Sequence, residues 1–229
     1  MKLNNPFLDT NVIISYLFKY DPEHKLTKPI FKQKAYFSEN VLIEVNYIFK
    51  EKKKLLITIF ESIISILEQK SEKVIDFSEF QKIILNEKFL FIYKNIQMTE
   101  KNLKLLLKSF WNEENIINEL ISNLIIKLRE YITYIQHNLF IEKENIINSL
   151  FKIPKCIESY PIFEKKFLEL DSDNHADLKI IKDIYNFHLQ EKLCFDFITF
   201  DKNLYDNLNI LNYSFINKII SKKELNTIY

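Results

Sequence analysis

The sequence contains no glycine in 229 residues, and its only arginine is Arg129. Phosphate-binding loops and dinucleotide fingerprints need glycine because their backbone must approach phosphate closely. The lack of glycine therefore excludes P-loop NTPases and enzymes with a Gly-rich dinucleotide site. Lysine supplies the other basic residues, and the formal net charge is +1. That balance neither favours nor excludes a nucleic-acid partner.

Cysteine and long apolar runs are also scarce. Cys156 and Cys194 lie in no metal-binding or redox spacing, which favours reduced thiols in a cytosolic protein. The longest apolar stretch, residues 55–67, contains Glu61 and is too short to span a bilayer. A polar segment follows the first three residues, so the sequence predicts no signal peptide. We therefore expect a cytoplasmic protein without a membrane partner.

The order of predicted elements divides the chain into three zones. Short apolar runs alternate with helical patterns in residues 1–50 and again in residues 151–229. Residues 51–150 show apolar spacings of three and four instead, and proline is absent from position 30 to position 153. The alternating zones predict an α/β fold with a central parallel sheet. We expect them to form one domain, with residues 51–150 as an all-helical insertion.

The individual elements follow from the same patterns. Helices are predicted over residues 39–50 and 174–190. The lysine-rich segment at 50–54 is typical of a solvated turn, with one rim of a phosphate track as the alternative. The apolar runs predicted as strands are residues 6–8, 35–37, 195–199 and 210–213.

Two aspartates lie just past predicted strand ends. Asp9 follows the run at 6–8, and Asp201 follows the run at 195–199. Ligands of open α/β sheets bind outside the carboxyl ends of the strands, so both carboxylates are candidate site residues. Capping of the next helix is an ordinary alternative role for an aspartate in either place.

Two further acids lie on the apolar faces of predicted helices. Glu44 is three and four residues from apolar helix positions, and Asp177 precedes an isoleucine stripe at helical spacing. A carboxylate in such a stripe is costly to bury without a partner, which favours a polar site beneath each helix. Asp177 could instead complete a helix cap with Asn174. Asp171 and Asp173 are nearby alternatives to it.

Together the four acids predict one shared pocket, provided that the sheet is parallel. Clustered carboxylates repel one another, and hard divalent cations such as Mg²⁺ or Mn²⁺ relieve the repulsion by binding oxygen ligands. Such ions activate water and stabilise the leaving oxygen of a phosphodiester. The sequence therefore predicts metal-assisted phosphodiester hydrolysis, with the metal ligands Asp9, Glu44, Asp177 and Asp201.

Four segments resemble the sequence motifs of PIN domains. They are Leu8-Asp9-Thr10-Asn11-Val12, Ser38-x-x-Val41-x-x-Glu44, an aspartate that opens a late helix, and Ile198-Thr199-Phe200-Asp201-Lys202. The resemblance spans roughly residues 4–50 and 165–215. It places the four acids on the family's acidic quartet, with Asp173 still competing with Asp177 for the third position. It implies supporting roles for Asn11, Thr199 and Ser38, and His175 and Lys202 are candidate substrate contacts.

The resemblance implies a three-layer α/β/α fold and Mg²⁺- or Mn²⁺-dependent cleavage of RNA that leaves a 5′-phosphate. We expect an endoribonuclease of bacterial stress, toxin–antitoxin or phage-defence biology. Its expected partners are RNA as substrate, an antitoxin or another protein, and a second copy of the chain, since PIN domains often pair. The compact members lack the helical middle region, which we expect to shape the substrate channel or bind a partner.

Other functions stay open at this point. An inactive PIN-like module that binds RNA or protein is the main alternative. A phosphatase of the haloacid-dehalogenase type would need a second aspartate where Asn11 stands. A purely helical scaffold would leave the acids at the strand ends unexplained.

Overall fold

A computed structural model describes residues 3–86, 99–170 and 174–228. The chain divides into two compact units. The first comprises Met1–Tyr16, Glu23–Ile48 and Ile146–Tyr229, and the second comprises Leu17–Pro22 and Phe49–Asn145. No helix in the described ranges combines the length and the apolar character that crossing a bilayer requires.

Parallel strands form the sheet of the first unit. Their bounds are β1 Pro6–Leu8, β2 Tyr36–Ser38, β5 Phe151–Ile153, β6 Phe195–Ile198 and β7 Ile216–Ile220, and their order is β5-β2-β1-β6-β7. All four pairings are parallel. Every residue of β1, β2 and β6 is buried, as expected for parallel strands that are covered on both faces. The predicted α/β class with a central parallel sheet is confirmed.

Aromatic side chains on neighbouring strands hold the register of this sheet. Phe7 pairs with Tyr36 on one side and with Phe197 on the other. The rings of Phe7 and Phe197 stack, with their centroids 5.6 Å apart. Burial of one such side chain contributes about 1.5–3 kcal/mol. The register determines where β1 ends and therefore where Asp9 lies.

The chain leaves β1 and β6 in opposite directions across the sheet. It passes from β1 to β2 on one side, whereas it passes from β6 to β7 on the other. Between two such neighbouring strands a crevice forms at the carboxyl ends, which is the usual ligand position in open α/β sheets. Asp9 and Asp201 follow these two strands, so the topology brings both to the same edge.

Helices make up most of the remaining described residues. In chain order they are α1 Thr10–Leu17, α2 His24–Thr27, a 3₁₀ turn at Ile30–Lys32, α3 Glu39–Leu67, α4 Phe77–Asn86, α5 Glu100–Glu113, α6 Ile121–Ser149, α7 Pro161–Leu168, α8 His175–Glu191, α9 Lys202–Leu211 and α10 Lys222–Ile228. The boundary between the two units falls within α3 and within α6.

Asparagine and lysine take the left-handed backbone positions that glycine usually fills. In the described part of the chain these positions are Asn5, Asn115, Lys192 and Asn212. Asparagine tolerates this conformation because its short polar side chain can bond locally. Lys192 ends α8 with φ 55°, and Asn212 ends α9 with φ 44°. Helices in this chain thus end sharply without glycine.

The second unit is not entirely helical, so the prediction of an all-helical segment over residues 51–150 is wrong. Strands β3 (Val74–Asp76) and β4 (Asn118–Leu120) pair antiparallel in it. Each strand has three residues, too few to show a period of two in the sequence. Large aromatic side chains pack its core, among them Phe60, Phe80, Phe110 and Trp111.

Two further predictions about elements are wrong. Residues 210–213 do not form a strand, because α9 continues to Leu211 and the last strand is β7. The helix predicted over 39–50 continues to Leu67 as α3, so the lysine-rich segment at 50–54 is helical and not a turn. Lysine and glutamate are good helix formers, and no proline or glycine interrupts the segment.

Candidate active site

Asp9 is the buried centre of the site. It follows β1 directly, is 4% exposed and donates its backbone N–H to the Ile198 carbonyl at 3.1 Å. Its Oδ1 accepts the Thr10 backbone N–H at 2.7 Å, and its Oδ2 accepts the Thr199 hydroxyl at 2.6 Å. Because both carboxylate oxygens are held, the side chain has a fixed orientation.

Thr199 and Asn11 fix the loop that follows β6. Besides donating to Asp9, Thr199 Oγ1 accepts the backbone N–H of Asp201 at 3.0 Å. The side-chain oxygen of Asn11 accepts the Phe200 backbone N–H at 3.0 Å. Two of the three residues predicted to support the acids therefore contact either an acid or the loop that carries one.

Glu44 reaches the site from α3. Its side chain is half-buried, and its Oε2 accepts the Thr10 hydroxyl at 2.7 Å. Thr10 thus links two acids, since its N–H bonds Asp9 and its hydroxyl bonds Glu44. Thr10 lies outside the predicted set of site residues, although a hydroxyl directly after a strand-end acid was a usable signal.

Asp177 lies in the first turn of α8 and also caps that helix. The Asn174 side-chain oxygen accepts its backbone N–H at 3.2 Å, and the Asn174 amide donates to Asp177 Oδ2. This reciprocal pair satisfies groups at the helix start, as a capping box does. The carboxylate is at the same time close enough to the other three acids for their charges to raise its pKa.

Asp201 is the N-cap of α9. Its Oδ1 accepts the backbone N–H groups of Asn203 and Leu204, at 2.7 and 3.0 Å. The residue is exposed, and within the described ranges its Oδ2 has no hydrogen-bond partner. A capping role and a place in the site are therefore compatible for Asp201, as they are for Asp177.

Four carboxylates repel one another electrostatically, and we call them the acidic cluster: Asp9, Glu44, Asp177 and Asp201. Burial raises the pKa of Asp9 to about 6; the hydrogen bonds that it accepts oppose this, and the charges of Glu44 and Asp201 add to it. Burial also raises the pKa of Asp177 to about 7, with the charges of the other three acids as further causes. The structure thus brings the four predicted acids into one electrostatic neighbourhood.

The acidic cluster suits a hard divalent cation by the chemistry of its donors. All four are carboxylates, and a cation among them would offset the repulsion that raises the pKa of Asp9 and Asp177. Within the described ranges, however, no three histidine, cysteine, aspartate or glutamate side chains are arranged to hold a metal ion. The fit therefore rests on donor chemistry and electrostatics, and not on a preformed ligand cage.

The two candidate substrate contacts lie at helix starts. His175 is the first residue of α8, Lys202 is the first residue of α9, and both are exposed. Neither side chain has a hydrogen bond or an ion pair to any other described residue. The alternatives to Asp177, which are Asp171 and Asp173, lie outside the described residues.

Asp183 is a buried acid that connects α8 with the start of α3. It is 1% exposed and accepts the Asn40 side-chain amide at 2.8 Å, the Cys156 backbone N–H at 2.7 Å and the Ser38 hydroxyl. Ser38, predicted as a supporting residue, therefore bonds Asp183 and not the acidic cluster. Asp183 lies outside the predicted set, although it belongs to the isoleucine stripe of α8, the kind of position that singled out Glu44.

No family model matches the sequence, and comparisons with curated proteins and with solved structures found no match. The resemblance to PIN motifs consequently rests on the short segments quoted above. The function is inferred from the fold and from the residues of the site.

Proposed function

We propose that the chain is a PIN-like nuclease, with a three-layer α/β/α domain, that hydrolyses RNA phosphodiester bonds with Mg²⁺ or Mn²⁺. The observation that carries the proposal is the convergence of the acidic cluster at the carboxyl edge of a parallel sheet. In the described part of the chain, no member of the cluster forms a salt bridge with a lysine, arginine or histidine. Unpaired carboxylates held together against their own repulsion are typical of a site that binds a cation.

The residues around the cluster orient the carboxylates. Thr10 and Thr199 hold Asp9 by both oxygens, and Thr10 also holds Glu44. The Thr199 hydroxyl positions the backbone of Asp201, whose Oδ2 is left for a ligand. These hydrogen bonds restrict the orientations that Asp9 and Glu44 can take.

The proposed ligands of the cation are Asp9, Glu44, Asp177 and Asp201. A divalent cation held there supplies positive charge that balances the carboxylates and the charge developing on the phosphodiester, and it favours attack by water near neutral pH.

The substitution Asp201→Asn tests the proposal, because asparagine preserves the helix cap and removes the charge. We expect the wild type to cleave labelled single-stranded RNA with Mn²⁺ and not with EDTA. We expect the variant to cleave roughly a thousandfold more slowly, which corresponds to about 4 kcal/mol of lost transition-state stabilisation. The measurement is the initial rate of cleavage, with the melting temperature of each protein as a check on folding.

Asp76→Asn is the matched control. Asp76 caps α4 by accepting the Glu79 backbone N–H at 2.8 Å, and it lies in the second unit. Its substitution should leave the cleavage rate unchanged. Cleavage that persists in EDTA, or equal rates for the two variants, would rule out the metal–carboxylate mechanism.

A binding module without catalysis is the second candidate function. The observation that favours it is that no three potential ligands in the described ranges are arranged around a metal position, while Asp177 and Asp201 already serve as caps. Binding of RNA or protein without cleavage, under Mg²⁺ and under Mn²⁺, would select this candidate.

A further inference from the structure

A cavity of about 300 Å³ lies next to the acidic cluster, in the first unit. Thr199 and Asp201 form part of its lining, and so do residues at the start of α9 and α10. Its volume is at the lower end of the range of about 300–1,000 Å³ that is usual for ligand sites. The cavity therefore has room for about one nucleotide unit and opens beside a proposed ligand of the cation.

Three lysines line this cavity, and two of them have no partner among the residues that the structure describes. Lys222 pairs with Glu23. Lys202 and Lys223 are exposed, and neither forms an ion pair or a hydrogen bond with any other residue in the described ranges. Asp206 also lines the cavity and opposes their charge. Lys202 and Lys223 thus line one concave surface together with the acids Asp201 and Asp206.

A polyanionic substrate needs compensating charge in this place. The acidic cluster repels phosphate, so a nucleic acid strand is held there only if nearby cations attract its other phosphates. Lys202 directly follows the cluster member Asp201, and Lys223 lines the same cavity from the first turn of α10. The ring of Tyr205, whose hydroxyl bonds Glu224 at 3.4 Å, gives the lining an aromatic surface for a sugar or a base.

We propose that Lys202 and Lys223 bind a backbone phosphate of single-stranded RNA that is adjacent to the bond at the acidic cluster. The choice of a polynucleotide rests on the proposed function, whereas the choice of an anion rests on the cavity alone. Phosphate contacts position a strand without reading its sequence. The cavity is therefore a positioning subsite that fixes where along the strand the cluster acts.

The test is a binding titration of the double variant Lys202→Gln/Lys223→Gln with labelled single-stranded RNA in EDTA. We expect about a tenfold loss of affinity near 0.1 M salt. We also expect the slope of log affinity against log salt to become shallower by about 0.7, because the two lysines share one phosphate and each phosphate contact on a single strand contributes about 0.7. Asp206→Asn should tighten binding, since it removes the opposing charge.

The control is Lys152→Gln/Lys155→Gln, which removes two exposed lysines on and just after β5, at the other edge of the sheet. It should bind RNA as the wild type does. Equal binding by wild type and the Lys202/Lys223 variant, or an equal loss in the control, would overturn the proposal. So would wild-type affinity for a nucleoside monophosphate that equals its affinity for the strand, because the site would then hold a free nucleotide.

RNA binding in EDTA tests the phosphate site, and cleavage with Mn²⁺ tests the nuclease proposal, so the two proposals can fail independently. If RNA binding depends on the two lysines but no cation supports cleavage, the nuclease proposal is wrong and the phosphate site remains. If cleavage depends on Asp201 but RNA affinity is unchanged by substitution of the two lysines, the phosphate site is wrong and the nuclease proposal remains.

Discussion

Asp9→Asn is expected to make the cation-free protein more stable at pH 8, by about 3 kcal/mol in the free energy of unfolding. The pKa of Asp9 is about 6 in the folded protein, above the ordinary value of 3.8, because burial and neighbouring acids disfavour its ionised form. Asparagine has a similar shape and no charge, so it removes this penalty as protonation of the aspartate does, while it keeps only one of the two acceptor oxygens. The same change removes a proposed ligand of the cation, so stability and cleavage should move in opposite directions.

The pH dependence of this effect follows from the direction of the pKa shift. The pKa of Asp9 is higher in the folded than in the unfolded protein, so ionisation of Asp9 lowers the free energy of unfolding. Below about pH 4 Asp9 does not lower it, and the full loss is reached as the pH rises through about 6. The gain from Asp9→Asn should therefore shrink to about half at pH 5. Urea unfolding of both proteins in EDTA, from pH 5 to pH 8, measures the difference.

Asp196→Asn is the control for Asp9→Asn, because it shows whether removing the charge of another buried aspartate gives the same gain in stability. Asp196 is 2% exposed on β6, and its carboxylate accepts the Asn4 backbone N–H at 2.8 Å, outside the acidic cluster. Its substitution should give no gain in stability at pH 8. A loss of stability for Asp9→Asn at pH 8 would contradict this prediction, because it would show that the ionised Asp9 carboxylate stabilises the folded protein.

Asp183→Ala is expected to lower the free energy of unfolding by about 3 kcal/mol, because it leaves buried donors without an acceptor. The Asn40 amide, the Cys156 backbone N–H and the Ser38 hydroxyl all lose their common partner. These donors come from the end of β2, the start of α3 and the loop after β5. Chemical denaturation at pH 7 measures the loss, and Asp183→Asn, which keeps one acceptor oxygen, should lose less.

Glu191→Ala is the control for Asp183→Ala. Glu191 is an exposed acid at the end of the same helix, α8, and its removal should change the free energy of unfolding by less than about 0.5 kcal/mol. Equal effects of the two substitutions would contradict the view that Asp183 joins these three segments.

Much of the sheet was predictable, because its strands are buried on both faces. The run Pro6-Phe7-Leu8 is entirely apolar, and Asp9 ends it abruptly, which marks both the strand and a candidate site residue. Strand β6 is also buried throughout although it contains Asp196, and Asp201 follows its end by three residues. Strands β3, β4 and β5 were not predictable in this way, since they have three residues each and are partly exposed. Their pairing depends on contacts distant in sequence, which no local pattern records.

The acids of the site were predictable, whereas their partners were only partly so. A charged side chain at a strand end or in an apolar stripe conflicts with its surroundings, and that conflict is visible in the sequence. The positions of Thr10 and Asp183 carry a signal in the sequence, but the groups that their side chains bond do not, because those groups lie on other segments of the chain. Asn11 and Thr199 were identified through motif resemblance, and the structure adds the atoms that they bond.

Manganese binding tests the central claim most directly, because it asks whether the acidic cluster holds a divalent cation at all. A titration of Mn²⁺ at pH 8, followed by electron paramagnetic resonance, should show saturable binding to the wild type and to Asp76→Asn. Binding should be lost in Asp9→Asn. Absence of saturable binding in the wild type, or equal binding in Asp9→Asn, would contradict the assignment of these carboxylates to a metal-dependent nuclease.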